Sequence, residues 1–433
     1  MKLCREISAL AVALLALLAP PVMSRAASPA EGLADGPGIW MNMWNYPEED
    51  YESYCLKLHS KGIRNLFVQV SRSNTEAVVH PEKLGPLIDA CHRYKIRVLA
   101  WSFAELRSPE ADADKLIEAC HFQSASGQHM DGLAANLEKD LTAAKVEAYS
   151  LRLRHSLGST YPMIAVVYSP LNMAPQVAQI PWPMLGQYYD VIAPMNYWNS
   201  KYKKLDPYEY TKATVQRVRQ LVGRPDVEIH VIGDAMGTTS ASINQFFKAC
   251  QESAATSASL YPNQRMTADQ MECISHYSEY FPVNSRFRLA ALREMIKKGI
   301  IESPANVNPA QAMMRGEFYK MLVRQIYVGK PQGMTAETAA AFLDRSGVLE
   351  KANNGPDLNQ PIEYQEAYKV VASLVEVRSS GGKANAKTAN RKTTNGHWFS
   401  QPAFAAEKPA VVSKPLSYLD AAQLVLQASS SLR

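Results

Sequence analysis

An α/β fold, with eight parallel strands closed into a (β/α)8 TIM barrel and an all-α repeat domain behind it, is predicted by three observations. Short β-branched and apolar runs alternate with amphipathic helical stretches from Gly38 to about Pro282, the pattern of consecutive β-α units on a parallel sheet. Eight such runs can be counted, and a barrel of this kind takes about 250 residues. After Pro282 the alternation stops and a helical pattern recurs at offsets of 48 residues (Gly299 to Gly347) and 49 residues (Arg315 to Tyr364), which marks a repeat.

The strands expected are Gly38 to Trp44, Ile63 to Val70, Ile96 to Ser102, His129 to Glu138, Met163 to Ser169, Asp190 to Tyr197, Val227 to Asp234, and Ser257 to Tyr261. Between them, helices are expected over Asp50 to Ser60, Pro81 to Tyr94, Asp112 to Phe122, Leu141 to Leu157, Tyr208 to Val222, Ser240 to Glu252, and Thr267 to Tyr280. Thr267-Ala268-Asp269-Gln270 has the form of a capping box, in which a threonine hydroxyl and a glutamine side chain satisfy each other's backbone N–H groups. The crossover from Leu171 to Tyr189 is proline-rich and less regular. A doubly wound open sheet is the rival, but no glycine-rich phosphate loop follows the first strand.

The N-terminus joins Lys2 and Arg5 to the apolar run Ala9 to Leu18, then Pro20-Pro21 and Ser24-Arg25-Ala26-Ala27, the layout of a secretory signal peptide. Domains are therefore expected at 1–27 (signal), 28–282 (barrel), 283–377 (two helical repeats), 378–412 (a basic flexible insertion) and 413–433 (a partial third repeat). No later stretch is apolar enough to span a bilayer, so an exported product, secreted or held at the cell envelope, is expected. A net charge of +5 argues against a dedicated nucleic-acid binder. The five cysteines after the signal, Cys55, Cys91, Cys120, Cys250 and Cys273, lie in helical stretches without C-x-x-C spacing. Buried small hydrophobes are the expectation. His59, His92, His121 and His155 show no paired ligand spacing, so neither metal nor cofactor is expected.

Chemistry concentrates on the fourth strand. In Asp131-Gly132-Leu133-Ala134-Ala135-Asn136-Leu137-Glu138 the alternation of a strand puts Gly132, Ala134, Asn136 and Glu138 on one face and three apolar side chains on the other. In a closed barrel the carboxyl ends of the strands carry the reacting groups. That rim would gather Asn42, Trp44, Gln69, Ser71, Trp101, Glu105, Asn136, Glu138, Tyr168, Asn172, Tyr197, Trp198, Asp234 and Tyr261. Aromatic faces stack on the apolar C–H patch of a sugar ring while amides and carboxylates bind hydroxyls, so a carbohydrate suits it. Glu138 with Asp234 would be the carboxylate pair of a glycosidase, roughly 5 Å apart for a retaining enzyme and roughly 6.5–9.5 Å for an inverting one. The plainer alternatives are a turn or N-cap role for Asp234 and a surface ion pair with Lys139 or a neighbouring arginine for Glu138.

The strand resembles the D-G-x-D-x-D-x-E signature of family 18 glycoside hydrolases, with Ala134 and Asn136 in place of two aspartates. It is also similar to the D-G-x-x-x-N-x-E of family 85 endo-β-N-acetylglucosaminidases. Met195-Asn196-Tyr197 resembles the family 18 M-x-Y-D, with Trp198 where the aspartate would stand. The resemblance implies that the substrate's own 2-acetamido oxygen attacks the anomeric carbon. Glu138 would be the general acid/base, Asn136 would orient the acetamide and Tyr197 would hold its carbonyl. Asp131, Met195, Asn196 and Trp198 would join the substrate site with Asn42, Trp44, Gln69, Trp101, Tyr168 and Tyr261.

In the C-terminal region, Met314-Arg315-Gly316-Glu317 resembles the T-R-A-E signature of S-layer homology domains, preceded by a helix ending in Gly299-Ile300-Ile301. The second copy has Tyr364 in the arginine's place and the third has Tyr418. This resemblance implies a pseudo-threefold unit of S-layer homology (SLH) type that holds an anionic cell-wall polymer through Arg315. The expected function is thus an exported glycoside hydrolase acting on an envelope or environmental polysaccharide. The alternative is a glycan-binding or structural envelope protein without catalysis.

Overall fold

In the computed structural model, residues 35–199, 205–281, 285–301, 304, 307–326, 333–349, 357–379 and 415–431 are described. The expected signal segment and nearly all of the expected basic insertion lie outside them. The strands β1 (Gly38–Met41), β2 (Asn65–Arg72), β3 (Arg97–Ala104), β4 (Gly132–Leu137), β5 (Met163–Tyr168), β6 (Val191–Asn196), β7 (Glu228–Asp234) and β8 (Ser257–Tyr261) pair in sequence order. All are parallel, and β1 closes on β8. The expected eight-stranded barrel is therefore present, with a helix after most strands as the crossover of a parallel sheet requires.

Around it lie α1 (Tyr51–Ser60), α2 (Pro81–Arg93), α3 (Pro109–His121), α4 (Ala143–Leu157), α5 (Trp182–Tyr188), α6 (Pro207–Val222), α7 (Ser240–Glu252), α8 (Ala268–Ser275) and α9 (Tyr277–Tyr280). Sequence signals set several boundaries. Asp50 caps α1 through Ser53 N at 2.9 Å, Pro109 opens α3 three residues earlier than expected, and the Thr267–Gln270 capping box is present at α8. The irregular crossover contains a 3-10 turn at Pro175–Gln179 before the short α5. All five cysteines are free and buried, with Cys55 and Cys91 Sγ atoms 3.3 Å apart between α1 and α2.

Alternation along the strands separates two cores. Leu133, Ala135 and Leu137 face the helices, in one continuous outer core with Val68, Val98 and Ile229. Ala134 faces inward with Trp40, Phe67, Leu99, Trp101, Ile164, Val166, Ala193, Met195 and Ile232. The interior is thus packed with side chains, as in barrels of this size. Gly38 makes that packing possible at the lower end, because a Cβ there would lie 2.8 Å from the Phe67 ring. A polar cluster sits low inside the barrel. His230 is bonded at both ring nitrogens to Ser257 and Ser259, each at 2.7 Å, and Trp40 donates to Ser259 at 2.8 Å. Burial pushes His230 down to about 3, so it is a neutral structural link.

The amino end of the barrel is fastened by a buried ion pair between Arg154 of α4 and Asp190 before β6, at 3.1 Å. Beyond the barrel come α10 (Ser285–Lys297), α11 (Arg315–Ile326), α12 (Ala336–Arg345), α13 (Tyr364–Ser379) and α14 (Tyr418–Ser431), with a separate core. The segments leading into α11, α13 and α14 meet in a ring. Met313 N donates to Leu416 O (2.7 Å), Leu416 N to Ile362 O (2.8 Å), and Ile362 N to Met313 O (2.9 Å). The flanking bridges Ala312–Ser417, Met314–Pro361 and Glu363–Pro415 follow the same cycle. Three equivalent segments, 312–314, 361–363 and 415–417, thus close a pseudo-threefold junction with Met313, Ile362 and Leu416 fully buried.

Candidate active site

The carboxyl ends of β4 to β8 bring six of the expected residues together: Asn136, Glu138, Tyr168, Tyr197, Asp234 and Tyr261. Asn136 and Glu138 point the same way from β4, and Asn136 Nδ2 donates to Glu138 Oε1 at 2.9 Å. Tyr168, at the end of β5, lies beside them; burial first and then the Glu138 carboxylate push its phenol above the ordinary value. Tyr197, just past β6, is raised well above its ordinary value by burial and then by Tyr261, Glu138, Asp234 and Tyr168 in turn. That tyrosine therefore feels both carboxylates. Tyr261 stacks on it with centroids 6.0 Å apart and meets Trp101 edge-on at 5.9 Å.

Asp234 is the buried acid of the site, 4% exposed at the end of β7. Its Oδ1 accepts from Met236 N at 2.8 Å, and Thr239, not Asp234, caps α7. Burial raises its carboxyl from 3.8 to about 6, against the lowering effect of the Met236 bond. Glu138 is likewise free of the ion pair considered for it, because Lys139 reaches Glu105 at 2.7 Å instead.

Raising Asp234 has a stability consequence. A carboxyl whose folded pKa exceeds its unfolded one favours the fold below the unfolded value and loses that contribution as pH rises through the folded value. A shift of about two units corresponds to about 3 kcal/mol. Asp234→Asn, which removes the charge, is therefore expected to raise the thermal midpoint at pH 8 and leave it nearly unchanged at pH 4. An equal effect at both pH values would mean that burial of charge is not the cause.

Of the other expected residues, Gln69 and Trp101 face inward as neighbours across β2 and β3, with Gln69 Oε1 and Trp101 Nε1 buried and unpartnered. Asn42 and Trp44 follow β1 onto the rim, where Trp44 is 62% exposed. Met195 sits deeper, inside the barrel core. Three residues are not brought to the site. Asp131 lies at the opposite end of β4, accepting from Val98 N at 2.7 Å and His92 Nε2 at 2.9 Å. Asn196 and Trp198 have the other parity on β6 and face the helices. Asn196 donates to Thr211 at 2.7 Å, and Trp198 packs on Phe246 while donating to Thr238 at 3.1 Å. Arg315 lies outside the barrel and forks onto Glu366 at 2.6 and 2.9 Å, so its guanidinium is engaged within the protein.

Two rim residues escape the alternation rule. A register shift between Gln69 and Ser71 leaves Ser71 opposite Ser102 and Arg72 opposite Phe103. Strict alternation would turn Ser71 into the mouth; instead its hydroxyl meets Ser102 at 2.8 Å on the outer, buried face. Arg72 takes the inward direction. Its guanidinium carbon is 5.0 Å from the Trp44 ring and 5.4 Å from Phe103. Bulges next to active sites re-aim side chains in this way, and no glycine or proline in Gln69-Val70-Ser71 announces it.

Among the described residues no three His, Cys, Asp or Glu side chains are grouped as a metal site. A separate cleft of about 640 Å³ lies between the amino end of the barrel and the repeats, lined by Arg219, Thr256, Asn308 and Asp420 among others. It is remote from Glu138 and Asp234.

No protein-family model matches the chain, and no curated protein matches it. Solved structures similar to it include glycoside hydrolases. A β-galactosidase from the psychrophilic Marinomonas ef1 is 9% identical over 72% of this chain and 68% of its own, with a TM-score of 0.44. Active domain 2 of a chitinase from Pyrococcus furiosus is 13% identical over 57% and 95%, with a TM-score of 0.41. An O-GlcNAc hydrolase from Thermobaculum terrenum is 10% identical over 79% and 84%, with a TM-score of 0.38. Solved structures of proteins with other activities, a synthase and a lyase, also match. Likeness at this level carries no argument about chemistry, which rests on the residues at the rim.

Proposed function

We propose that the barrel is a glycoside hydrolase acting on a cell-envelope or environmental polysaccharide. The observation that supports it best is the meeting of Glu138 and Asp234, through Tyr197, at the carboxyl ends of the strands. In the two-carboxyl route one acid protonates the leaving oxygen while the other attacks or activates water. Asp234, raised to about 6 by burial, suits the proton donor. Glu138, accepting from Asn136, suits the carboxylate that attacks or activates water.

A second reading keeps Glu138 as general acid/base and gives Asn136 the substrate's acetamide. It is favoured by Asn136 Oδ1, which is buried and unpartnered and could accept an acetamide N–H. Exposed Trp44, Leu171, Met173 and Met236, all on segments that follow strands at this rim, suit sugar contact in either case. Wild-type protein incubated with chitooligosaccharides, peptidoglycan and N-glycans is expected to release new reducing ends from one of them. Loss of release in Asp234→Asn with retention in Asn136→Ala supports the two-carboxylate route, and the reverse supports the acetamide route. Binding without release by the wild type would favour the lectin-like alternative.

We also propose export, on the N-terminal sequence, and attachment of the repeats to an anionic wall polymer as in S-layer homology domains. The cyclic junction of three segments supports the second point; the internal pairing of Arg315 means that another group would hold the polymer. Full-length protein is expected to sediment with purified cell walls, and a chain ending at 281 to stay in solution. Equal sedimentation of both would overturn the attachment.

A further inference from the structure

We propose that the barrel's substrate is an acidic glycan whose sugar carboxylate is read by Arg72; this rests on the rim being a saccharide site. The β2 bulge aims Arg72 inward beside Phe103. Its guanidinium lies against Trp44 and Phe103, an arrangement that holds a guanidinium plane rigid and leaves its edge for a ligand. Among the described residues no carboxylate is within ion-pair distance of it, and its buried Nε has no partner.

The surrounding charge favours an anion. Glu105 is the acid that feels Arg72, and it is already held by Lys139 at 2.7 Å and Arg107 at 3.1 Å. Lys139 also stands over Phe103, at 5.6 Å. Three cations thus share one carboxylate on this side of the mouth. Glu138 and Asp234 are the acids that Tyr197, past β6, feels.

The unfilled hydrogen-bonding groups follow the same line. Gln69 Oε1, Trp101 Nε1 and Asn136 Oδ1 are buried without partners on adjacent strands β2, β3 and β4, two acceptors and one donor for hydroxyls. Buried polar groups are rarely left unmade in a native site unless something else fills them. A sugar lying across these three strands would meet Arg72 on its β2 side and Glu138 on its β4 side. Recognition of a planar carboxylate by a two-pronged guanidinium is the match this geometry makes.

Matched probes test it. One pair is tetragalacturonic acid and its carboxyl-reduced, neutral counterpart; the other is peptide-free peptidoglycan strands, with free lactyl carboxylates, and the same strands carboxyl-reduced. Wild-type protein is expected to bind the acidic member of at least one pair about tenfold more tightly, the preference shrinking as salt rises. Arg72→Ala should bring that ratio toward one and Arg72→Lys should restore part of it. If the alanine variant loses its fold, the wild-type ratio and its salt dependence still decide. Equal binding of acidic and neutral members in both pairs, or an unchanged ratio in Arg72→Ala, overturns the role of Arg72 and leaves the hydrolase reading standing. A sulfated tetrasaccharide without carboxylates binding more tightly than the uronate would overturn the carboxylate assignment. Absence of binding and turnover with every probe would sink the saccharide site itself, and this inference with it.

Discussion

Glu138→Gln is expected to lower glycan turnover by about three orders of magnitude while leaving binding and folding nearly intact. General acid–base groups contribute about 10²- to 10⁴-fold, and a thousandfold loss is about 4 kcal/mol at the barrier. The amide is nearly isosteric and its oxygen can still accept from Asn136 Nδ2, the donor now 2.9 Å from Glu138. The thermal midpoint should therefore move little. The residual pH profile adds a check: if Asp234 is the proton donor, wild-type activity falls as pH rises through about 6, because the donor is then ionised. Equal, background release by wild type and variant would remove the hydrolase reading, whatever either protein binds.

Arg154→Ala is expected to destabilise the barrel by about 3–5 kcal/mol, the usual cost of stranding one member of a buried ion pair. Arg154 is 8% and Asp190 3% exposed at their side chains. The guanidinium also donates to the carbonyls of Tyr161 at 2.7 Å and Tyr188 at 3.1 Å. Asp190 accepts in turn from Met163 N at 2.8 Å, so the network joins the end of α4 to the starts of β5 and β6. Removing the guanidinium takes the countercharge from a buried carboxylate and the donors from the carbonyls of Tyr161 and Tyr188. For a domain of this size the midpoint should fall by roughly 10 °C. A fall of only a degree or two would show that water replaces the guanidinium there, and Arg154→Lys, which keeps the charge without the fork, should recover only part of the loss.

The barrel was legible because short apolar runs alternate with amphipathic stretches along the chain, and because the fourth strand carries its two-residue period in full view. Leu133, Ala135 and Leu137 could belong only to the helix-facing side, and Ala134, Asn136 and Glu138 then had to face inward. The same rule, applied strictly, already separates Met195 and Tyr197 from Asn196 and Trp198. Reading those four as one motif placed two helix-facing residues in the substrate site. Asp131 failed for a different reason. β4 begins at Gly132, so the aspartate that opens the motif stands at the far end from Glu138, where it fastens Val98 and His92. Arg72 could not be found by periodicity at all, since a bulge breaks the period and has no compositional mark here. The depth of Asp234 was equally hidden, because burial depends on neighbours from other strands.

The cyclic junction at Met313, Ile362 and Leu416 ties the repeats' assembly to contacts between segments distant in the chain. Each of its three hydrogen bonds joins segments roughly 50 or more residues apart, and one of the three segments lies just ahead of the final helix. Contacts of such sequence separation form late, because loop closure must precede any reward. The barrel strands, by contrast, are all synthesised by Tyr261. During synthesis the barrel can therefore close while the repeats still lack a side of their triangle. A break between Glu363 and Pro415 would leave two of the ring's three hydrogen bonds unmade and take Leu416 away from the otherwise fully buried Met313 and Ile362.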